Sequence, residues 1–181
     1  MAFRAQIDDF EALYERTYPA VFRTVLGICG DSGLAADATQ DAYLAAYRQQ
    51  ASFRGDVPVD AWLYRIAVNA ALTSLRRRRV RWTEPLDPTR HDRSTAPADH
   101  AADVDLRRAL LGLDPRSRAA VVLRYYVDLD YEAIATILGA RPGTVGSLLN
   151  RALKRLRSEL GDAPAAGELV PTAAEEAGHG G

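Results

Sequence analysis

Residues Thr83 to Ala102 divide the chain into two parts, and this division limits what the chain can fold into. The segment reads TEPLDPTRHDRSTAPADHAA, with three prolines, few large apolar residues and charges of both signs. This composition is typical of an exposed linker. Residues 1–82 and 103–161 lie on either side, and each part is long enough for one small helical domain.

Helix signals recur in both parts. Aspartates that can act as N-caps precede apolar helical patterns at Asp8 or Asp9, Asp114 and Asp130. Pro115 suits a first helical position, and Gly30 suits a helix C-terminus. Pro19 interrupts the first pattern, so we expect two helices there. The sequence therefore predicts an all-α fold, with two small helical domains joined by a flexible linker.

The stretch from Ala61 to Arg79 predicts a helix with two different faces. Its apolar stripe, directed to the core, comprises Leu63, Ile66, Ala67 and Ala70. On another face, polar and aromatic side chains share an arc of about 80°; they are Trp62, Arg65, Asn69, Thr73 and Arg76. Residues 73–82 then hold five arginines and no acid. This face suits binding to a phosphodiester chain with exposed bases. The alternative interpretation is that Trp62 anchors the core and that the arginines are solvated at the end of the helix.

A second candidate surface lies on the preceding helical pattern, LAADATQDAYLAAYRQQ. Alanines form a small apolar stripe for close packing, and the other faces carry Asp37, Gln40, Asp41, Tyr43, Leu44 and Tyr47. Acids four residues apart usually form a solvated face, and a protein-docking face is the alternative. The spacing alone leaves both open.

The second part contains a helix-turn-helix pattern. Gly139 to Gly143, GARPG, predicts a tight turn after a short helix, and Thr144 is the expected N-cap of the last helix. Short polar and long cationic side chains gather on the outer side of that helix, opposite an apolar side; they are Ser147, Asn150, Arg151, Lys154 and Ser158. Such a helix suits the major groove of DNA. A helical hairpin with a solvated basic face is the alternative.

Composition excludes several other functions. The net charge is −1, but residues 106–161 hold ten bases against five acids, so the charge is unevenly divided. Cys29 is the only cysteine, and the histidines fall in the linker and the tail, so we expect no catalytic residues, no metal site and no cofactor. No run approaches the ~18 apolar residues of a membrane span, so we expect no membrane insertion and a cytoplasmic location. We assign no function to residues 162–181.

Three motifs in this order resemble the extracytoplasmic-function group of bacterial RNA polymerase sigma factors, which contain sigma regions 2 and 4. They are DATQDAYLAAYR at Asp37 to Arg48, SFRGD followed by WLYRIAVNAA, and DYEAIATILGARPGTVGSLLNRALKRLR at Asp130 to Arg157. The resemblance covers about Phe10 to Leu160. It assigns residues 1–82 to region 2 and 103–161 to region 4, with the linker 83–102 between them. The composition of residues 162–181, rich in Ala, Gly, Pro and Glu, predicts a disordered tail. Gly146 and Leu148 depart from the resemblance, because these positions are often basic in the family.

The resemblance also implies sites and partners. The partners are core RNA polymerase, promoter DNA as duplex and as non-template single strand, and an anti-sigma factor; the free chain is expected to be a monomer. The surface that binds core polymerase comprises Asp37, Gln40, Asp41, Tyr43, Leu44 and Tyr47. The minus-ten element is contacted by Phe53, Arg54, Trp62, Arg65, Asn69, Arg76, Arg77 and Arg78. The minus-thirty-five element is contacted by Tyr131, Arg141, Thr144, Ser147, Asn150, Arg151, Lys154 and Arg155.

Chain length is consistent with contact at two promoter elements. A linker of about twenty residues extends at most ~70 Å, so it can reach about twenty base steps along one DNA strand. The sequence therefore predicts a non-enzymatic transcription initiation factor that binds a bipartite promoter and starts strand opening. Two alternatives remain open at this point, a stand-alone helix-turn-helix regulator and a helical adaptor protein.

Overall fold

The structure is a computed structural model that describes residues 9–81 and 101–160. These residues form seven α-helices and one short 3-10 helix, and they contain no strand, which confirms the all-α prediction. The α-helices are α1 (Phe10–Cys29), α2 (Ser32–Gln49), α3 (Val59–Arg81), α4 (Ala101–Gly112), α5 (Pro115–Tyr125), α6 (Tyr131–Leu138) and α7 (Pro142–Leu160), and the 3-10 helix is Gln50–Ser52. Most of the predicted linker and the predicted tail lie outside the described residues.

Aspartate caps set where four of the helices begin. The carboxylates of Asp9, Asp31, Asp114 and Asp130 each accept a hydrogen bond from a backbone N–H in the first turn, at 2.7–3.0 Å. Gly30 ends α1 in the left-handed conformation, with φ of 73°. These contacts satisfy donors and acceptors that a helix end leaves without intrahelical partners. They confirm the predicted caps at Asp114 and Asp130, and Asp9 is the one that caps α1.

Two local predictions are wrong. Helix α1 continues through Pro19, which lies on its exposed side, because packing before and after the proline outweighs one missing backbone hydrogen bond. Helix α7 begins at Pro142, so Thr144 lies in its first turn and is not its cap. The carbonyl of Arg141 accepts hydrogen bonds from the N–H groups of both Thr144 and Val145. Proline is favoured at a first helical position because its missing N–H has no helical partner there.

Helices α1, α2 and α3 form the first helical unit. Leu63 and Ala67 of α3 are fully buried in it. Four alanines on α2 are also fully buried and allow close helix packing: Ala35, Ala38, Ala42 and Ala46. Ile66 and Ala70, which the pattern assigns to the same core stripe, are only half-buried and line an open groove between α2 and α3.

Helices α4 to α7 form the second helical unit, in which α6 and α7 make the predicted helix-turn-helix. Gly139 turns the chain between them with φ of 57°. Arg118 lies buried in α5, and its guanidinium donates to the carbonyls of Leu110 and Leu111 at the end of α4. Burial lowers the pKa of Arg118. These hydrogen bonds join α4 to α5 and satisfy two carbonyls of the last turn of α4.

The two units pack against each other along α1 and α3 on one side and α5 and α6 on the other. A Cβ added at Gly27 would lie 3.3 Å from Val122, so this glycine permits close approach of α1 and α5. Arg107 donates to the carbonyl of Gly30 at 2.8 Å. Buried residues from both units form one continuous core. The sequence pattern did not predict this contact.

A second apolar stripe on α3 accounts for its contact with the second unit. Tyr64, Val68, Leu72 and Leu75 lie within an arc of about 80° that is separate from the arc of Leu63 and Ala67. Val68 is fully buried, and the other three pack against the core. Burial raises the pKa of Tyr64, and the nearby Tyr126 at the end of α5 raises it as well. Helix α3 is therefore apolar on two sides.

We expect Gly30→Ala to destabilise the chain by about 1–2 kcal/mol, because a residue with a Cβ pays that cost in the left-handed conformation. The new Cβ would also meet Leu111 at 2.1 Å, but that side chain is flexible enough to move. Most of the loss should therefore persist in a Leu111→Ala background. Urea unfolding measures each free energy.

Gly143→Ala is the matched control. Gly143 lies in the first turn of α7, and a Cβ there meets no atom within 4 Å. Alanine should therefore be neutral or slightly stabilising. An equal loss at both glycines would show that the conformation of Gly30 is not responsible.

Candidate nucleic-acid interface

An open groove between α2 and α3 collects four of the eight side chains predicted to contact the minus-ten strand. Its volume is about 580 Å³. From α3 the lining includes an indole, two guanidiniums, an amide and two hydroxyls, carried by Trp62, Arg65, Asn69, Thr73, Ser74 and Arg77. The apolar floor between them comes from Ile66 and Ala70. This combination offers stacking, hydrogen bonding and positive charge in one place.

Phe53 supports this groove from below. Its side chain is only 9% exposed, and its ring centroid lies 5.1 Å from that of Trp62. Arg54, the next residue, is exposed. The sequence groups Phe53 with the residues that contact DNA, whereas the structure places its ring in the core against the indole. Its position suits holding Trp62 in place more than contacting a ligand.

The arginine run at the end of α3 is not uniform. Arg76 and Arg77 are exposed, so their charges are available to solvent. Arg78 is half-buried and forms an ion pair with Asp31 at 3.4 Å. This pair links the end of α3 to the N-cap of α2. Arg78 therefore contributes less free charge to a DNA-binding surface than its two neighbours.

A second groove, of about 430 Å³, lies between α1 and α2 and is lined mainly by aromatic rings. Of the predicted polymerase-binding residues, it contains Gln40, Tyr43, Leu44 and Tyr47. Tyr47 is 59% exposed and Leu44 is also exposed, and both are large apolar side chains. Asp37 is exposed but does not line this groove, and Asp41 lines the other one.

Tyr43 belongs to the wall of the aromatic groove and not to its open surface. Its side chain is 5% exposed, and its hydroxyl shares a hydrogen bond of 2.7 Å with the hydroxyl of Thr17. Burial raises the pKa of Tyr43 to about 12. The rings of Phe10 and Tyr14 meet it edge-on. The pattern of Tyr43 and Tyr47 four residues apart did not distinguish this core tyrosine from the exposed one.

Helix α7 presents the predicted DNA-reading residues to solvent. All eight predicted residues of the second unit are exposed: Tyr131, Arg141, Thr144, Ser147, Asn150, Arg151, Lys154 and Arg155. Arg155 pairs with Glu159 at 2.9 Å, which partly neutralises it. Leu148 is buried, and a Cβ at Gly146 would lie 3.6 Å from Tyr131. Of these two positions, where the family is often basic, Leu148 faces the domain, and Gly146 is half-buried beside Tyr131.

Sequence reasoning missed the three residues that α2 contributes to the α2–α3 groove. Asp41 and Gln49 line it together with Ala45, at spacings of four residues along α2. This spacing places the three on one side of a helix. The signal was present in the sequence, but the partner helix that completes the groove was not evident from it.

Neither a metal-binding cluster nor a reactive thiol is found among the described residues. No three His, Cys, Asp or Glu side chains in residues 9–81 and 101–160 are grouped so as to hold a metal ion. Cys29 is buried, and burial raises the pKa of its thiol to about 12, so the thiolate is disfavoured. None of the helices in these ranges is both long and apolar enough to cross a membrane.

Comparison with known families identifies both helical units. The family model of sigma-70 region 2 matches residues 13–81, and that of sigma-70 region 4 matches residues 103–156. The chain is 39% identical over 159 residues to the ECF RNA polymerase sigma factor SigM of Mycobacterium tuberculosis, covering 84% of this chain and 77% of the relative. It is 33% identical to the RNA polymerase sigma-E factor of Streptomyces antibioticus, covering 87% of each.

Solved structures agree with this identification. The sigma factor RpoE of Bartonella quintana, in complex with the anti-sigma factor NepR, superposes with a TM-score of 0.67 at 26% identity and covers 85% of this chain and 98% of its own. CnrH in complex with the cytosolic domain of CnrY has a TM-score of 0.62 at 24% identity and covers 83% and 86%. The latter similarity concerns the fold alone.

Proposed function

The chain belongs to the extracytoplasmic-function group of RNA polymerase sigma factors, which are non-enzymatic transcription initiation factors, and we propose that α3 and α7 contact the two elements of one promoter. The observation that carries this proposal is the pair of exposed cationic surfaces, one on each helical unit. Only the first also carries a half-buried indole that lines a groove of nucleobase scale. Family membership favours this function over a stand-alone regulator or a helical adaptor.

We assign residues 1–82 to region 2, 83–102 to the linker, 103–161 to region 4 and 162–181 to the tail. The chain would act as a monomer in the cytoplasm, where core polymerase is found. An anti-sigma protein would hold it inactive, by analogy with the sigma factor RpoE that was solved in complex with the anti-sigma factor NepR.

In the first unit, the α2–α3 groove would capture the non-template strand of the minus-ten element. Trp62 provides a surface on which a base stacks, and Asn69 provides hydrogen bonds to a base edge. Arg65 and Arg77, which line the groove, and the neighbouring Arg54 and Arg76 would bind phosphates. Phe53 would hold Trp62 in position, and Arg78 would act mainly through its ion pair with Asp31.

In the second unit, the outer face of α7 would read the minus-thirty-five element as duplex. Ser147, Asn150 and Arg151 lie where a recognition helix presents side chains to base edges. The remaining exposed residues would contact phosphates: Tyr131, Arg141, Thr144, Lys154 and Arg155. The buried Leu148 takes no part in this contact.

Polymerase would dock on the aromatic groove between α1 and α2. Leu44 and Tyr47 supply exposed apolar area, which is enriched at the centres of protein interfaces. Asp37 and Gln40 would form the polar rim beside them. Tyr43 would support this surface from inside through its hydrogen bond with Thr17.

Binding two promoter elements requires the two units to separate. Helices in contact lie about 8–10 Å apart. Since α7 packs on α6 and α6 packs on α3, α7 lies roughly 20 Å from α3. At its full extension of ~70 Å the linker would let the two units reach elements up to about twenty base pairs apart. The packed arrangement therefore corresponds to a closed form, and promoter binding would open it.

We expect Asn69→Ala and Trp62→Ala to slow promoter opening more than they weaken closed-complex binding. The reason is that both side chains line the groove that receives the unpaired strand. Permanganate footprinting measures opening on duplex promoter, and run-off transcription at saturating holoenzyme compares the duplex with a template that has a pre-melted bubble. The bubble should restore most of the run-off transcript in both variants, because it removes the cost of opening, although their affinity for the unpaired strand stays below that of wild type. If the bubble does not restore them, strand capture by this groove is wrong.

We expect Asn150→Ala to weaken binding of holoenzyme to the minus-thirty-five duplex by about 1–3 kcal/mol, the value of a base contact. Arg151→Ala should behave in the same way. Electrophoretic mobility shift on native and scrambled elements separates base contacts from phosphate contacts. Equal losses on both elements would reduce these residues to phosphate binders. Asn150→Ala is also the matched control for Asn69→Ala, because both residues are exposed amides. A pre-melted bubble should not rescue Asn150→Ala.

A further inference from the structure

A third groove, which we call the seam groove, lies where the two helical units meet. Its volume is about 310 Å³. One wall is the last part of α1, from Arg23 to Gly30, and the other is α4 from Leu106 to Leu111, with Tyr126 beside them. Because each unit supplies one wall, the seam groove exists only while the two units are packed together.

The seam groove combines exposed apolar area with positive charge. Leu106, Leu111 and Tyr126 are all exposed large side chains. The charged side chains of the lining are Arg23 and Arg107. Arg23 is exposed and forms no ion pair with any acid of residues 9–81 and 101–160. This combination suits a segment that is apolar at its centre and acidic around it.

The chain itself contains a segment of this chemistry after α7. Residues 162–181 hold no lysine or arginine and four acids, which are Asp162, Glu168, Glu175 and Glu176. The large aliphatic side chains of this tail are Leu169 and Val170, which follow Glu168 directly. The tail therefore offers one small apolar centre in an acidic surrounding, which complements the seam groove in both respects.

The end of α7 lies close enough for this tail to reach the seam groove. Helix α7 packs on α4, and the carboxylate of Glu159 would lie 3.3 Å from a Cβ added at Gly112, the last residue of α4. The preceding residue, Leu111, lines the groove. The nine residue steps from Leu160 to Leu169 span up to about 30 Å. That length exceeds what the short path past the end of α4 requires.

We propose that Leu169 and Val170 dock in the seam groove of their own chain, with the acids of the tail close to Arg23 and Arg107. A docked tail touches both walls and therefore braces the two units against each other. The docking rests on the packed arrangement alone, and its effect on promoter binding rests also on the proposed separation of the units. A tethered segment is present at a millimolar effective concentration, which favours it over a separate protein of the same chemistry.

Paramagnetic relaxation in the free, full-length chain locates the tail. A nitroxide is attached at Thr172→Cys, two residues after Val170, in a Cys29→Ala background. The methyl signals of leucine and valine are then recorded by NMR. The label should broaden the signals of Leu110 and Leu111 in the seam groove strongly. It should affect Leu44, which lines the aromatic groove, much less.

Two changes test the chemistry of docking. The double variant Leu169→Ser with Val170→Ser removes the apolar centre, and Arg23→Glu reverses one charge of the groove. We expect each to lower the docking constant about tenfold, which takes a docked fraction of about three quarters to about one quarter. The broadening at the seam groove should therefore fall about threefold.

Each change has a matched control. Ala165→Ser with Ala166→Ser alters two other positions of the tail in the same polar direction. Arg48→Glu reverses an exposed charge on α2 that lines none of the three grooves. Both controls should leave the broadening unchanged. Equal losses in the controls and in the test variants would overturn the docking of Leu169 and Val170.

Other NMR outcomes also overturn the proposal. Broadening that is absent, or that is centred on another surface, would show that the tail does not dock in the seam groove. A mixture of spin-labelled chain and isotope-labelled chain tests for a second copy. Broadening in that mixture would place the tail on another molecule and contradict docking within one chain.

Assembly with core polymerase and promoter DNA measures the bracing. Release of the tail should raise the affinity of the Leu169→Ser and Val170→Ser double variant for the two together about threefold, because a larger fraction of free chains can open. Docking by NMR with an unchanged affinity would overturn the bracing. The NMR measurement contains no DNA, so failure of the docking and failure of the proposed promoter contacts are separate results.

Discussion

Helix α3 is in contact with both helical units, and the rest of the structure depends on how its surface is divided. One arc, with Leu63 and Ala67, is buried against α1 and α2, and a second arc with Val68 packs towards α5 and α6. The remaining arc carries Trp62 and Asn69 and lines the open groove. Because two arcs are held by packed cores, the third is presented in a fixed position, which preorganises the groove for a ligand.

The contact between the units combines close packing with few polar contacts. Gly27 admits Val122, and Arg107 binds the carbonyl of Gly30. Buried residues run across the contact as one core, so separation of the units would expose apolar surface at a free-energy cost of about 25 cal/mol per Å². Binding to polymerase and to two DNA elements has to offset this cost. Under the proposed opening on a promoter, the contact that gives the free chain a continuous core opposes the separation of the two units.

Much of this arrangement follows from the sequence, because it depends on local patterns. The caps at Asp114 and Asp130, the turn at Gly139 and the exposed face of α7 are set by residues close together in the chain. The remaining features depend on partners far away in sequence. Tyr43 is buried because Thr17 and Phe10 lie against it, and Ile66 is half-buried because α2 leaves a groove beside it. The second apolar stripe of α3 was present in the sequence, but its partner, α5 with α6, lies beyond the linker.

The central claim is that the two units touch in the free chain and separate when they contact one promoter. A pair of spin labels on Glu15→Cys and Glu132→Cys, in a Cys29→Ala background, reports the distance between α1 and α6 at exposed positions. We expect one short distance in the free chain and an increase of several tens of Å in the complex with core polymerase and a promoter whose elements lie ~70 Å apart. An unchanged distance in a complex that still produces run-off transcript would contradict the claim.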